Sequence, residues 1–119
     1  MKTLSVPRGF YRKTPRTRRD YASAMRDDVP IVRQFGGLAV TPTLGPLLGF
    51  TITHARTGCA VPGLTALPYE TSFAVASILA EAFAWHAVDD VFFFRSMPPD
   101  HQEALRGCIG AVREMFGVE

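Results

Sequence analysis

The sequence predicts an α+β fold: a small antiparallel sheet of two to four strands packed on a central buried helix and a C-terminal amphipathic helix, with a basic N-terminal arm. Three stretches carry that expectation. Tyr69 to Ala87, YETSFAVASILAEAFAWHA, is rich in Ala, Leu, Phe and Glu and has no Gly or Pro to interrupt a helix. Phe50 to His54 alternates Phe, Ile and His on one face with Thr51 and Thr53 on the other, the period of a strand. Leu105, Cys108, Ile109, Val112, Met115 and Phe116 form the apolar stripe of a last helix.

The chain has 119 residues, 47% of them hydrophobic and 20% charged, which fits one globular domain and excludes global disorder. The expected organisation is a flexible basic arm over residues 1–16 and a single compact domain over 17–119. Residues 1–19 carry Lys2, Arg8, Arg12, Lys13, Arg16, Arg18 and Arg19 with no acid, a charge of +7. The remainder carries six basic residues against eleven acids, a net of −5. An acidic body with a basic arm is the pattern of a protein that meets a polyanion or an acidic protein surface.

In the arm, Pro7, Gly9 and Pro15 interrupt any helical or strand period, so an extended, mobile segment is expected. Thr17 caps a short helix with Asp20 three positions on, Tyr21 and Met25 give that helix an apolar face, and it ends by Asp28. The stop comes from Pro30, which pushes Val29 toward extended geometry. Ile31 and Val32 are read as a short strand before Gly36 and Gly37, and Leu38 to Thr41 as a second, closed by Pro42. The run TPTLGPLLG is a loop. After Phe50 to His54, Ala55 to Gly58 make a four-residue hairpin loop, and Cys59 to Val61 return antiparallel until Pro62.

The helix from Tyr69 is apolar on several faces, with Phe73, Ala76, Ala80 and Phe83 on one and Val75, Ile78, Leu79 and Ala82 on others. It therefore belongs in the middle of the fold, and it is too short and too closely flanked by acids to span a membrane. Asp89 and Asp90 end the apolar run, and Val91 to Phe94 is read either as a strand buried on both sides, the favoured reading, or as a helical extension wrapping the core. Pro98 and Pro99 open the last helix, with Asp100 and Glu103 near its start and Gly117 at its C-cap. Gly107 and Gly110 inside it suggest close backbone packing against a partner.

Two constellations bear on chemistry. With Ala55 to Gly58 as the loop, His54 and Cys59 face each other across the hairpin, the arrangement that activates a cysteine nucleophile. The alternative is a small buried hydrophobe beside a hydrogen-bonded histidine. His86, Asp89 and Asp90 have spacing compatible with sharing a metal at a helix end, against the simpler roles of capping and dipole stabilisation. Neither a CxxC, an HExxH nor a glycine-rich phosphate loop is present, so no cofactor is expected.

The partner-binding candidates are Arg8, Phe10, Tyr11, Arg12, Lys13, Arg16, Arg18 and Arg19 in the arm and Arg56 at the hairpin tip. Arginines and lysines pair with phosphates, and an aromatic pair between them can stack on bases. The leading expectation is a non-enzymatic binding module, an adaptor or inhibitor engaging a nucleic acid or nucleoprotein, of the kind phages and plasmids direct against host machinery. The alternatives are a protein–protein or homodimer module without nucleic acid, and a small cysteine-dependent enzyme using Cys59 and His54. The start MKTLSVPRGF has no apolar signal region, and two cysteines set no disulfide framework, so a cytoplasmic, membrane-free protein is expected.

Overall fold

A computed structural model describes residues 2–7, 18–43, 48–61, 63–82, 85 and 99–117. In chain order these contain strand β1 (Thr3–Pro7), helix α1 (Arg18–Ser23), strands β2 (Arg26–Pro30), β3 (Arg33–Phe35), β4 (Leu38–Pro42) and β5 (Phe50–His54), and helices α2 (Tyr69–Ala82) and α3 (Pro99–Met115). The architecture is α+β, with two antiparallel sheets ordered β1-β2 and β3-β4-β5.

The larger sheet follows from local sequence. Phe35 pairs with Leu38, leaving Gly36 and Gly37 as a two-residue hairpin. Gly36 takes φ +56°, a conformation that suits glycine at the first central position of a II′ turn. In β4 and β5 the pairs Leu38–His54 and Val40–Ile52 face the helices, while Ala39, Thr41, Thr51 and Thr53 face away. That second face is polar but satisfied: the Thr41 and Thr53 hydroxyls lie 3.1 Å apart, those of Thr43 and Thr51 2.9 Å apart, and Thr43 Oγ1 accepts the Ala66 N–H at 3.1 Å.

The β1–β2 ribbon covers the threonine face. Val6 and Val29, both buried, line a small crevice with Thr41, Thr51, Thr53 and Gly58. Ile31 and Val32 stitch the layers together, since Ile31 N–H donates to the Lys2 carbonyl and Val32 N–H to that of Val40. Arg26 adds a second tie: Nε donates to Ser5 Oγ at 2.6 Å, and Nη2 to the carbonyls of Ser5 and Thr57 at 3.0 and 3.3 Å.

This ribbon departs from the sequence expectation at two points. Residues 3–7 of the arm form a paired strand: Leu4 and Val6 alternate as a strand requires, and Pro7, which has no N–H, sits at its end opposite Arg26. The first helix stops at Ser23 rather than near Asp28, because Arg26–Pro30 pairs with β1 and Val29, already extended by Pro30, buries its side chain between the sheets. Met25, expected on the helix, lies outside it and is exposed. Similarly, the strand expected at Ile31 and Val32 begins at Arg33, because those two residues carry the chain from one sheet to the other.

On its helix-facing side the sheet packs against α2 through Val75, Ala76 and Leu79, and α3 adds Leu105, Ile109 and Val112. Each fully buried Leu, Val or Ile stabilises the fold by about 1.5–3 kcal/mol. Helix α2 is buried along one side; Ile78, Glu81 and Ala82 are exposed, so its coverage is narrower than its composition predicts. Trp85 closes the core beyond α2, and its indole N–H donates to the Leu79 carbonyl at 2.8 Å, satisfying a carbonyl near the helix C-terminus. Helix α3 ends at Met115 and is followed by Gly117 (φ +66°) as its capping glycine, with Met115 exposed instead of joining the apolar stripe. The reading of residues 91–94 lies outside the described residues, and no helix of the described residues is long and apolar enough to cross a membrane.

Candidate functional site

The β5 hairpin brings the predicted pair together. Gly58 N–H donates to the His54 carbonyl and His54 N–H to that of Cys59, both at 2.8 Å, and Thr53 is bridged to Ala60. Gly58 adopts φ +75°, and a Cβ there would run into the Ser5 carbonyl oxygen, so the loop needs glycine twice over. His54 and Cys59 are thus opposite one another, and both are fully buried.

Their chemistry is not that of an activated thiol. A carbonyl can only accept, so His54 Nε2 carries the proton and donates to Trp85 O at 2.8 Å. In the neutral ring Nδ1 is then the acceptor, and it receives the Thr57 hydroxyl at 2.9 Å. Thr57 Oγ1 also accepts the Cys59 N–H at 3.3 Å. Both imidazole nitrogens are therefore occupied by structural partners, and burial holds the His54 pKa below its ordinary 6.5. Burial pushes the Cys59 thiol up to about 11, against weaker opposing pulls from the Thr57 hydroxyl and the Arg26 charge. A thiol held this far above neutrality supplies almost no thiolate at pH 7. The arrangement is a latch joining β5, its turn and the residue beyond α2, and Thr57 is the member that the sequence reading did not single out.

Arg56 is exposed at the hairpin tip, as the loop assignment places it. Arg18 opens α1 and Arg19 is exposed on it. Arg8, Phe10, Tyr11, Arg12, Lys13 and Arg16 lie outside the described residues, as do His86, Asp89 and Asp90. Among the described residues no group of three metal-ligating side chains is found. Both cysteines are free, Cys59 buried and Cys108 half-buried. Gly107 and Gly110 are exposed on α3, with nothing among the described residues within 4 Å of where a Cβ would sit.

A second assembly has no counterpart in the sequence reading. Phe35 at the edge of the sheet meets Phe73 of α2 at 5.8 Å between ring centroids, Phe73 meets Tyr69 at 4.7 Å, and Tyr69 meets Phe50 of β5 at 5.2 Å. The Phe35–Phe73 and Phe50–Tyr69 contacts are edge-to-face, the favoured geometry for quadrupolar rings. The Arg33 guanidinium lies 5.0 Å from the Phe35 centroid and 5.6 Å from that of Phe73, within cation–π range of both. The result is a continuous ladder of one arginine and four rings across β3, α2 and β5.

Compared with known proteins, the chain matches no protein-family model, no curated protein and no solved structure.

Proposed function

We propose that the protein is a non-enzymatic binding module whose partner is a nucleic acid or a nucleoprotein. The observation that carries this reading is the charge division: +7 in residues 1–19 with no acid, against −5 in the rest of the chain. A cationic segment draws in a polyanion through long-range attraction and counterion release. The Cys59–Thr57–His54 geometry supports a binding role over cysteine catalysis, because its polar groups are spent on holding the turn.

The test is a binding titration against labelled duplex DNA, single-stranded DNA and RNA at low and near-physiological salt. The arm is best altered by charge, since residues 3–7 form β1 and deletion would remove a strand. The full chain is compared with one carrying Arg8→Gln, Arg12→Gln, Lys13→Gln and Arg16→Gln. Binding that falls steeply with salt in the parent chain, and is lost or loses that slope in the variant, is expected. Absence of binding to all three nucleic acids by the parent chain would overturn the reading.

A further inference from the structure

The aromatic ladder does more than seal the rim of the core. Phe35, Phe50 and Phe73 pack against the buried cluster and are half-covered, which packing explains. Tyr69 does not belong to that cluster and is 52% exposed at the first residue of α2. Arg33 is exposed too, with its guanidinium over two of the rings. Leu48, two residues before Phe50, is 90% exposed. Arg33 and Tyr69 thus present a cationic and aromatic surface to solvent, with the half-covered rings between and beside them. Resting on the reading above, we propose that Arg33, Tyr69, Phe73 and their neighbouring rings form the stacking surface for unpaired bases of a single-stranded nucleic acid.

The chemistry selects that occupant. Every base has a π-face, so aromatic rings and an arginine plane bind single strands with little sequence preference. In a duplex those faces are buried in the base stack, and the ladder has nothing to engage. Arg33 supplies positive charge beside the rings and the sequence of the arm carries more, and single-strand binders combine such charge with stacking rings. Glu70, exposed and next to Tyr69, is an adverse charge for a polyanion and gives the proposal a signed control.

The experiment uses the full chain with fluorescein-labelled oligothymidylate, oligouridylate and a mixed-sequence duplex. Tyr69→Ala is expected to weaken single-strand binding roughly tenfold, within the range about 5- to 150-fold for loss of one stacked ring, with the salt slope unchanged. Tyr69→Phe is expected to retain binding because the ring carries the contact, and Glu70→Gln to tighten it. Emission from the buried Trp85 and far-ultraviolet circular dichroism report that each variant is folded. If folded Tyr69→Ala and Arg33→Gln bind as the parent does while the neutralised arm does not, the ladder proposal is overturned and the nucleic-acid reading stands. If the parent prefers duplex, or if Glu70→Gln weakens binding, the stacking proposal is likewise overturned. If the parent binds no nucleic acid, both readings fall, and the ladder becomes a protein contact, for which exposed Tyr and Arg are also suited.

Discussion

Replacing Gly107 and Gly110 together with alanine is expected to stabilise the protein. Both glycines lie inside α3 and are exposed, and an added Cβ at either would meet nothing among the described residues within 4 Å. A glycine in a helix interior costs about 1 kcal/mol relative to alanine, chiefly through the backbone freedom of the unfolded chain. With no clash among the described residues to offset that gain, and the two sites being neighbours three apart, the double variant should gain up to about 2 kcal/mol. A chain of this length has an unfolding entropy near 0.25 kcal/mol/K at its midpoint, so Tm should rise by up to about 8 °C. Thermal melts at low and high protein concentration, paired with light scattering, provide the assay. A lower Tm together with conversion of a dimer to a monomer would refute the reasoning, because it would show that the glycines are covered by a second copy. That is the close backbone packing their placement in the sequence suggests. An unchanged Tm and a constant monomer would instead refute the entropic account.

The remaining predictions concern the latch and the two-sheet contact. Gly58→Ala is expected to cost at least about 2 kcal/mol, because a left-handed φ of +75° and a collision with the Ser5 carbonyl act together, whereas Gly117→Ala (φ +66°, no described neighbour within 4 Å) should cost about 1 kcal/mol; equal losses in urea denaturation would count against the collision. His54 is held below its ordinary pKa of 6.5, so the unfolded chain binds a proton that the native chain resists. Its contribution is complete above about pH 6.5 and is lost as pH falls from there through the folded-state value, with a slope of at most about 1.4 kcal/mol per pH unit. A His54→Gln variant should be less stable at pH 7 and lack this slope, and parallel pH profiles for the two proteins would exclude the mechanism. In native protein at pH 8 a thiol-reactive disulfide should modify Cys108 and leave Cys59 untouched until denaturant is added; early reaction of Cys59, seen by peptide mass, would contradict its burial.

What the sequence made legible divides by the range of the interactions. The core helix, the Phe50–His54 strand and the closing helix are written in contiguous periodicity, and the Gly58 turn in a residue type that its φ demands. Strand β1 is harder to see because its partner is remote: Thr3 pairs with Pro30 and Pro7 with Arg26, and a five-residue strand has no stability alone. Leu4 and Val6 alternate over too few residues to outweigh Pro7 and Gly9 as a local signal, and only pairing decides the outcome. The same limit applies to the hairpin chemistry. Register placed His54 opposite Cys59, yet their side-chain states depend on Trp85 and Thr57, one of them 31 residues away.

The ladder is the extreme case of that limit. Phe35, Phe50, Tyr69 and Phe73 are unremarkable one by one, and any of them alone reads as core. Their meaning comes from α2 bridging the two outer strands β3 and β5, and from Arg33 reaching over two rings from the opposite end of a three-residue strand. Charge, by contrast, needs no fold to be seen, which is why the basic arm emerged from the sequence and the aromatic surface did not. The two features are physically complementary: a charged arm gives long-range attraction and salt sensitivity but no preference for strandedness, and a stacking surface gives that preference but almost no reach. A protein using both should therefore lose affinity when the arm is neutralised and lose its preference for single strands over duplex when Tyr69 is removed. Those are separable effects on one binding reaction, and a single-site electrostatic tail would show the first without the second.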